Sequence, residues 1–516
     1  MPAKSGGQMS SGSNERADIY QRGAEPSIVQ SFSIVGLYGY RTISLSSEYA
    51  ATILIARNGS GKTTLLGALD AFLKMQFSRL MDLQFSVIKC KFRGIKDEVI
   101  LSRDDISNFF DVSFDSDVAK MARKIEVESQ ALLRFLFETF PVIKDDYRNL
   151  LDDPIYSVIY RHFGYENTLD NIERLKLGLT GRVSQVDFAM SAISKALSGV
   201  EVVYLPTYRR IELPLVSEPE EQVRRRGRQK AAQGRFFNGA MQFGLGDIDD
   251  RLAEVNQNIL INSNFGYRQI SASIITELLD GSFEKNTADL SNIPSKDELN
   301  LFFTRIKEGQ QNDFLADVTL PNIDKIYTLD QIPSPSNKFL KYFLGKLNEV
   351  IQRTRQIELP IEEFVVSCNK YLSSEDSISV DDLSKSDVRS SDGKKLVLNR
   401  NNLKIHAQSI WGGKKISLNS LSSGEKQMIS LFAKIFLYPE KKLILIDEPE
   451  LSLSMNWQRR ILPDVISAPL CQQVIAITHS PFVFDNELDP FAQSLRIAVD
   501  LEALPPDSLE NDASEQ

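Results

Sequence analysis

Cysteine is scarce in this chain: Cys90, Cys368 and Cys471 are the only three, odd in number and far apart. Neither a disulfide framework nor a zinc ribbon can be built from them, and such thiols suit a reducing cytosol. Histidine is equally rare, occurring only as His162, His406 and His479. No run of about 18 apolar residues occurs, and the opening MPAKSGGQMSSGSNER lacks the apolar core of a signal peptide. A cytoplasmic protein without membrane contact is the expectation. Positive charge is not in excess either, because the formal net charge is −9. That argues against a surface coated all over with nucleic acid and leaves only local basic patches for such a role.

What is present is an ordinary globular composition, 42% hydrophobic and 25% charged over 516 residues, long enough for two or three domains. The polar stretches 1–26 and 501–516 read as disordered. IVQSFSIVGLYGYRTISLSS holds two short β runs broken by Gly36 and Gly39, and apolar ATILIA then feeds a glycine-rich loop and a helix from Thr63. Ile88, Cys90 and Phe92 alternate with Lys89, Lys91 and Arg93, the period of a strand with one wet face, and GIKDEVILSRDDI is its hairpin partner. From Ser107 to Gly199 the pattern is helical, and EVVYLPTYRRIE then returns as a strand ending at Pro206. After the arginine-rich run EPEEQVRRRGRQKAAQGR a helix is expected, with Asp247 as N-cap and Ile248, Leu252, Val255 and Ile259 on its apolar face. KKLVLNR and NLKIHAQSI read as strands.

The fold class that follows is α/β. An amino-terminal lobe spans 27–106 and 201–215, a helical insertion 107–200, a basic loop 216–240, a second helical insertion 241–375 and a carboxy-terminal lobe 376–500.

Strand ATILIA, loop RNGSG and helix KTTLLGALDAF reproduce the setting in which consecutive backbone N–H groups wrap a phosphate. Arg57, Asn58, Gly59, Ser60, Gly61, Lys62, Thr63 and Thr64 are the candidate ATP-binding residues. Asn58 to Gly61 supply the cradle, Lys62 neutralises β/γ-phosphate charge, and Thr63 ligates Mg2+ through its hydroxyl. Ala56 stands where the motif usually opens with glycine, so the strict pattern fails at the turn entrance while its catalytic half is intact.

Further along, LILID reads as a buried strand delivering Asp447 to the Mg2+ shell, and Glu448 beside it is placed to orient and polarise an attacking water. In isolation an Asp-Glu pair would mean a solvated turn; the apolar LILI run and the upstream loop decide against that. LSSGEKQ places Ser422, Ser423, Gly424 and Glu425 at a helix start, where the dipole favours an anion or where a serine simply caps the helix. His479 ends the apolar run VIAIT; His162 and His406 are assigned to structure or surface. Tyr38 and Tyr40 precede the phosphate loop as candidates for stacking on adenine, although packing is the commoner role of such aromatics.

Together, RNGSGKTT, LSSGEKQ, LILIDEPELSLS and ITHSPFVFDN resemble the AAA-labelled, ABC-folded ATPases of bacterial anti-phage systems. Those of Septu systems and Septu-type retrons are the most similar, followed by those of PARIS and the OLD-like family. The resemblance covers the ATPase lobes, extends more loosely to YLPTYRRIE and GDIDDRL, and finds no matching motif in the helical insertion. It implies ABC-type P-loop lobes with a large helical insertion, ATP and Mg2+ as cofactors, and Glu448, Lys62 and His479 as the catalytic set, the last as the switch histidine. Ser422 to Glu425 would be the signature facing a γ-phosphate bound by a second subunit. Tyr204 to Arg210 lies where the lobe-linking glutamine loop would be, but holds no glutamine.

The resemblance further implies a homo-oligomer of ATP-dependent dimers that holds a separate effector nuclease, of HNH or TOPRIM type, until a phage-derived trigger arrives. About 37 residues follow His479, so an appended nuclease domain is not expected, and three scattered histidines do not offer an HNH site, so any effector is expected to be a partner. A RecF- or SMC-like ATPase of DNA maintenance is the alternative. There Arg224, Arg225, Arg226, Arg228, Lys230 and Arg235 would form a phosphate-contacting patch instead of a solvated loop. The nucleotide subunit of a membrane transporter fits poorly, because the large insertion replaces the compact helical subdomain of such subunits.

Overall fold

The computed structural model describes residues 9–111, 116–144, 147–177, 183–206, 245–280, 293–308, 323–327, 334–373, 393–410 and 412–500. Two compact units divide the chain: residues 1–242 with 440–516, and residues 243–439. In chain order the strands are β1 (Val29–Leu37), β2 (Arg41–Ser46), β3 (Ala51–Ile55), β4 (Val87–Phe92), β5 (Val99–Ser102) and β6 (Val200–Leu205). Then follow β7 (Lys394–Leu398), β8 (Ile405–Ser409), β9 (Lys415–Ile416), β10 (Lys441–Asp447), β11 (Cys471–Thr478), β12 (Ala492–Ser494) and β13 (Arg496–Val499).

The first unit holds two five-stranded sheets. One is parallel in every pairing, in the order β12-β3-β11-β10-β6. Strands covered on both faces read as unbroken apolar runs, and Leu443, Ile444, Leu445, Ile475, Ala476 and Ile477 are all fully buried. The other sheet is antiparallel, in the order β13-β2-β1-β4-β5. In β4 the expected alternation holds, with Ile88, Cys90 and Phe92 buried, and β5 is its antiparallel partner. Gly36 sits at the irregularity of β1 with φ +70°, where a Cβ would lie 2.3 Å from the Ser86 hydroxyl, so no side chain fits.

Helices between Arg103 and Ala196 share the core of these sheets through Phe109, Leu132, Phe135, Ile159, Val186 and Ile193. The expected insertion 107–200 is helical but belongs to the body of the first unit. At the amino terminus a helix, Met9–Gly23, stands where disorder was expected up to residue 26. It docks through Arg22, whose guanidinium donates to the Ser467 and Ala468 carbonyls at 2.6 and 3.2 Å, and through the Tyr20 ring, 5.5 Å from that of Phe491. The two carbonyls end the helix Met455–Ser467, where acceptors lack intrahelical donors.

The second unit is built on two long helices that pack on each other, Leu245–Leu279 and Ser334–Leu372, with Lys296–Glu308 against them around Phe302, Tyr342 and Leu347. Ile248, Leu252, Val255 and Ile259 are buried as expected, but the helix starts two residues before Asp247. Asp247 is therefore inside the first turn and is not the N-cap. The unit also carries the antiparallel sheet β7-β8-β9 and the helix Ser423–Phe436. The single lobe expected over 376–500 is thus divided at residue 440. Strands β10 and β11 pair with β6 and β3 of the first unit, and among the described residues β7 to β9 pair only with one another. The basic run from Arg224 to Arg235, Thr207 to Arg210 and the tail 501–516 lie outside the described residues. Among the described residues no helix is long and apolar enough to cross a membrane.

Candidate nucleotide site

Strand β3 lies parallel to β11, and β11 to β10, so their carboxyl ends open on one edge of the sheet, where ligands bind in open α/β folds. From β3 the chain turns through Ala56–Gly61 into the helix Lys62–Leu73. Gly59 and Gly61 have φ of +76° and +94°, which bends the loop back over the helix start. The first intrahelical bond runs from Leu65 N–H to Gly61 C=O at 2.9 Å. Helix geometry therefore leaves the amides of Lys62, Thr63 and Thr64 without an intrahelical acceptor at the positive end of the dipole. The Ser60 hydroxyl is buried in the same loop with no hydrogen-bond partner, a donor that a phosphate oxygen would satisfy. Ala56 keeps a negative φ, and its N–H donates to the Thr478 carbonyl at 3.1 Å, so glycine is not required there.

The two distant motifs meet in this unit. Thr63 Oγ1 donates to Asp447 Oδ2 at 2.6 Å. Lys62 Nζ lies 2.5 Å from Glu448 Oε1 and donates to Asn58 Oδ1 at 3.2 Å. Lys62 is 6% exposed and Glu448 17%, so the pair is largely shielded from solvent. Glu448 has φ +54°, a left-handed conformation uncommon for a residue with a side chain. Its N–H continues the β10–β11 ladder to the Ile477 carbonyl at 2.9 Å. One hydroxyl and one carboxylate fit Mg2+, which keeps several waters and takes its other ligands from phosphate. Among the described residues no group of three His, Cys, Asp or Glu side chains could hold a metal.

His479 follows β11 directly. Its Nδ1 lies 2.9 Å from Glu450 Oε1 and 3.7 Å from Glu448 Oε1, and its backbone N–H donates to Glu450 Oε1 at 3.0 Å. Glu450 did not enter the sequence-based set, although it is the third acid of the DEPE run and is 5% exposed. Gln458 adds a second tie: its Oε1 accepts from the Ser480 hydroxyl at 2.8 Å, and its Nε2 donates to the Leu453 carbonyl at 3.0 Å.

In the second unit Ser422 caps the helix Ser423–Phe436. Its hydroxyl accepts from Glu425 N–H at 3.4 Å, and the Glu425 carboxylate accepts from Ser422 N–H at 2.7 Å, which completes a capping box. Lys394 Nζ holds both Glu425 oxygens at 3.0 Å. The cap fixes the helix start and leaves the Ser423 and Gly424 amides in its first turn.

Of the remaining candidates, Tyr38 is half exposed at φ +57°, and the Arg41 guanidinium lies 5.7 Å from the Tyr40 ring centre. His162 meets Phe163 edge to face, and His406 is on β8. All three thiols are buried, which pushes the Cys471 thiol up to about 12.

These residues and this sheet form an α/β fold with a P-loop-type strand-loop-helix at the carboxyl edge of its parallel strands, consistent with ABC-type lobes. A family model described as "AAA domain, putative AbiEii toxin, Type IV TA system" matches residues 285–485. That span holds LSSGEKQ, the DEPE run and His479, and the phosphate loop lies before it. No curated protein matches the chain. Among solved structures, the Smc head domain with an extended coiled coil bound to the C-terminal domain of ScpA, from Pyrococcus furiosus, is 12% identical. It aligns over 94% of this chain and 100% of its own, with a TM-score of 0.34. The SmcHead bound to the C-winged helix domain of ScpA is 13% identical over 92% of this chain and 99% of its own, also at 0.34.

Proposed function

We propose that the chain binds and hydrolyses Mg2+-ATP as the ATPase subunit of an anti-phage defence system, and that it controls a separate effector nuclease. The observation that carries the catalytic part is the meeting of Lys62 and Thr63 with Glu448 and Asp447 at hydrogen-bond distance. When bound, Mg2+ shields phosphate charge and polarises the phosphoryl group. Thr63 and Asp447 would hold it, and the first-turn amides with Ser60 would hold phosphate oxygens. Lys62 pairs with the β/γ-phosphates once they compete with Glu448 for it. Glu448 is then free to accept a proton from the attacking water.

Ser422, Ser423, Gly424 and Glu425 of a second copy would close over the γ-phosphate, so that ATP joins two copies into a dimer. The capped helix start, whose Ser423 and Gly424 amides have no intrahelical acceptor by helix geometry, supports this, since such a terminus favours an anion. The defence role rests on the motif resemblance and on the matched family's description as a putative toxin of a type IV system. Purified protein should release phosphate from ATP only with Mg2+, and Lys62→Ala should not. The Glu448→Gln variant should form an ATP-dependent dimer by light scattering, and the wild type should copurify with the product of an adjacent gene. A protein that neither bound ATP nor retained that product would sink the proposal.

A RecF- or SMC-like role in DNA maintenance is the second reading, favoured by the two packed helices of 35 and 39 residues, a length suited to a coiled-coil arm. Salt-sensitive DNA binding lost on neutralising Arg224, Arg225, Arg226 and Arg228 would select it.

A further inference from the structure

We infer that Glu450 is a positioning residue for His479, fixing which imidazole nitrogen meets the nucleotide. The inference rests on the ATP-hydrolysis reading above and goes beyond the catalytic set of Glu448, Lys62 and His479 that the motif resemblance implies. Oε1 of Glu450 takes two bonds from one residue, the His479 backbone N–H at 3.0 Å and ring Nδ1 at 2.9 Å, whereas Glu448 is 3.7 Å from the same nitrogen. A carboxylate can only accept, so Nδ1 carries a proton and Nε2 is left as the nitrogen that faces outward. Gripping the backbone and the ring together fixes ring orientation as well as tautomer, as outer partners do for metal-bound histidines. The ring is 44% exposed and Glu450 only 5%, so the gripping side is buried and the working side is open.

Stability alone does not account for a carboxylate here. Its second oxygen, Oε2, is buried without a hydrogen-bond partner, and an apolar side chain would avoid that desolvation cost. The backbone around the contact is already fastened. The Ser480 hydroxyl donates to Gln458, whose amide donates to the Glu450 and Leu453 carbonyls at 3.3 and 3.0 Å. The His479 imidazole is what Glu450 adds to that fastening.

The test compares ATP turnover of the wild type, Glu450→Ala, Glu450→Gln, His479→Ala and the double variant Glu450→Ala/His479→Ala. Glu450→Ala should lower kcat about 10- to 100-fold, the size of effect seen for outer partners of ligating histidines, with KM for ATP little changed. Glu450→Gln, whose amide oxygen accepts the same two bonds, should retain most of kcat. In the His479→Ala background Glu450→Ala should add nothing, because the group it positions is gone. A multiplicative further loss in the double variant, or equal damage by Gln and Ala, would overturn the inference.

A second readout needs no turnover. With only three histidines in the chain, ¹⁵N-histidine NMR can follow His479 directly, its signals identified by their loss in His479→Ala. The Nδ1–H tautomer should persist in Glu450→Gln and redistribute in Glu450→Ala; an unchanged tautomer in Glu450→Ala would overturn the inference. Wild-type turnover no faster than that of Lys62→Ala would overturn the ATPase reading, and the tautomer result would still decide the Glu450–His479 contact on its own.

Discussion

On the proposed function, Glu448→Gln separates two roles of one carboxylate, that of the general base and the pairing of a buried lysine. Removing a positioned general base costs about 10²- to 10⁴-fold in rate, or about 3–5 kcal/mol of barrier. The second effect acts without nucleotide. Lys62 is 6% exposed and loses the negative charge of the carboxylate that sits 2.5 Å from it, keeping two neutral acceptors, the substituted amide's own oxygen and the Asn58 amide oxygen at 3.2 Å. Because acceptors remain and only the opposing charge is lost, the cost falls below the 3–5 kcal/mol of a wholly unpaired buried charge and near the roughly 1.5–3 kcal/mol of a charge-assisted hydrogen bond. For a unit of this size that is a fall of about 3–6 °C in Tm, at roughly 2 °C per kcal/mol. ATP phosphates replace the lost partner, so Mg2+-ATP should raise the Tm of Glu448→Gln by more than it raises that of the wild type. Phosphate release and thermal melts with and without Mg2+-ATP measure both effects on one sample. Hydrolysis within about twofold of wild type would refute the base. A nucleotide-free Tm at or above wild type would refute the structural role of the pair.

On the proposed function Thr63→Ala removes one of the two side chains, hydrogen-bonded to each other, that would hold Mg2+, so the Mg2+ needed for half-maximal turnover should rise about tenfold; EDTA should abolish turnover in every variant. Arg305→Met breaks a buried pair with Glu358 and should destabilise the second unit by about 3 kcal/mol, the low end for such breaks because Arg400 still meets Glu358 at 3.0 Å. The double change Arg305→Met/Glu358→Met should be more stable in urea than the single one. His406 is held below the usual histidine value, first by burial and then by Lys415. The fold therefore favours its neutral form. That small contribution is present above the unfolded value and is lost as pH falls through the lowered folded one. Lys415→Ala should move its NMR titration midpoint upward. The three buried thiols should react with a disulfide reagent only after denaturant is added, and rapid native labelling of Cys471 would contradict its burial.

The parts of this molecule legible in its sequence are those governed by local period and local turn chemistry. ATILIA, RNGSG and KTTLLGALDAF carry strand, loop and helix in one continuous stretch, and the observed strand Ala51–Ile55 and helix Lys62–Leu73 follow it closely. LILID and VIAIT are apolar throughout because the parallel sheet covers both their faces. What stayed hidden depends on pairing over long separations. No local feature near residue 440 shows that β10 pairs with β6 rather than with the strands just before it, so the expected lobe 376–500 fell across two units. The amino-terminal helix shows the same limit, since Met9–Gly23 has little apolar periodicity and gains its place from Ser467, Ala468 and Phe491.

Glu448 joins both kinds of information. Adjacent residues of a strand point to opposite faces, so Asp447 and Glu448 could not share one site if β10 simply continued. The left-handed turn at Glu448 ends the strand and brings Asp447 to Thr63 and Glu448 to Lys62. Glycine would take that φ without the roughly 1 kcal/mol that a side chain incurs there. It would bring no carboxylate to Lys62. An adjacent Asp-Glu pair is visible in the letters, whereas the strained φ that makes the pair convergent is not, and strain kept at such a place marks chemistry over stability. The same turn sets the course of the next residues and so carries Glu450 beneath His479, which is why the contact that fixes the histidine could be read only from the fold.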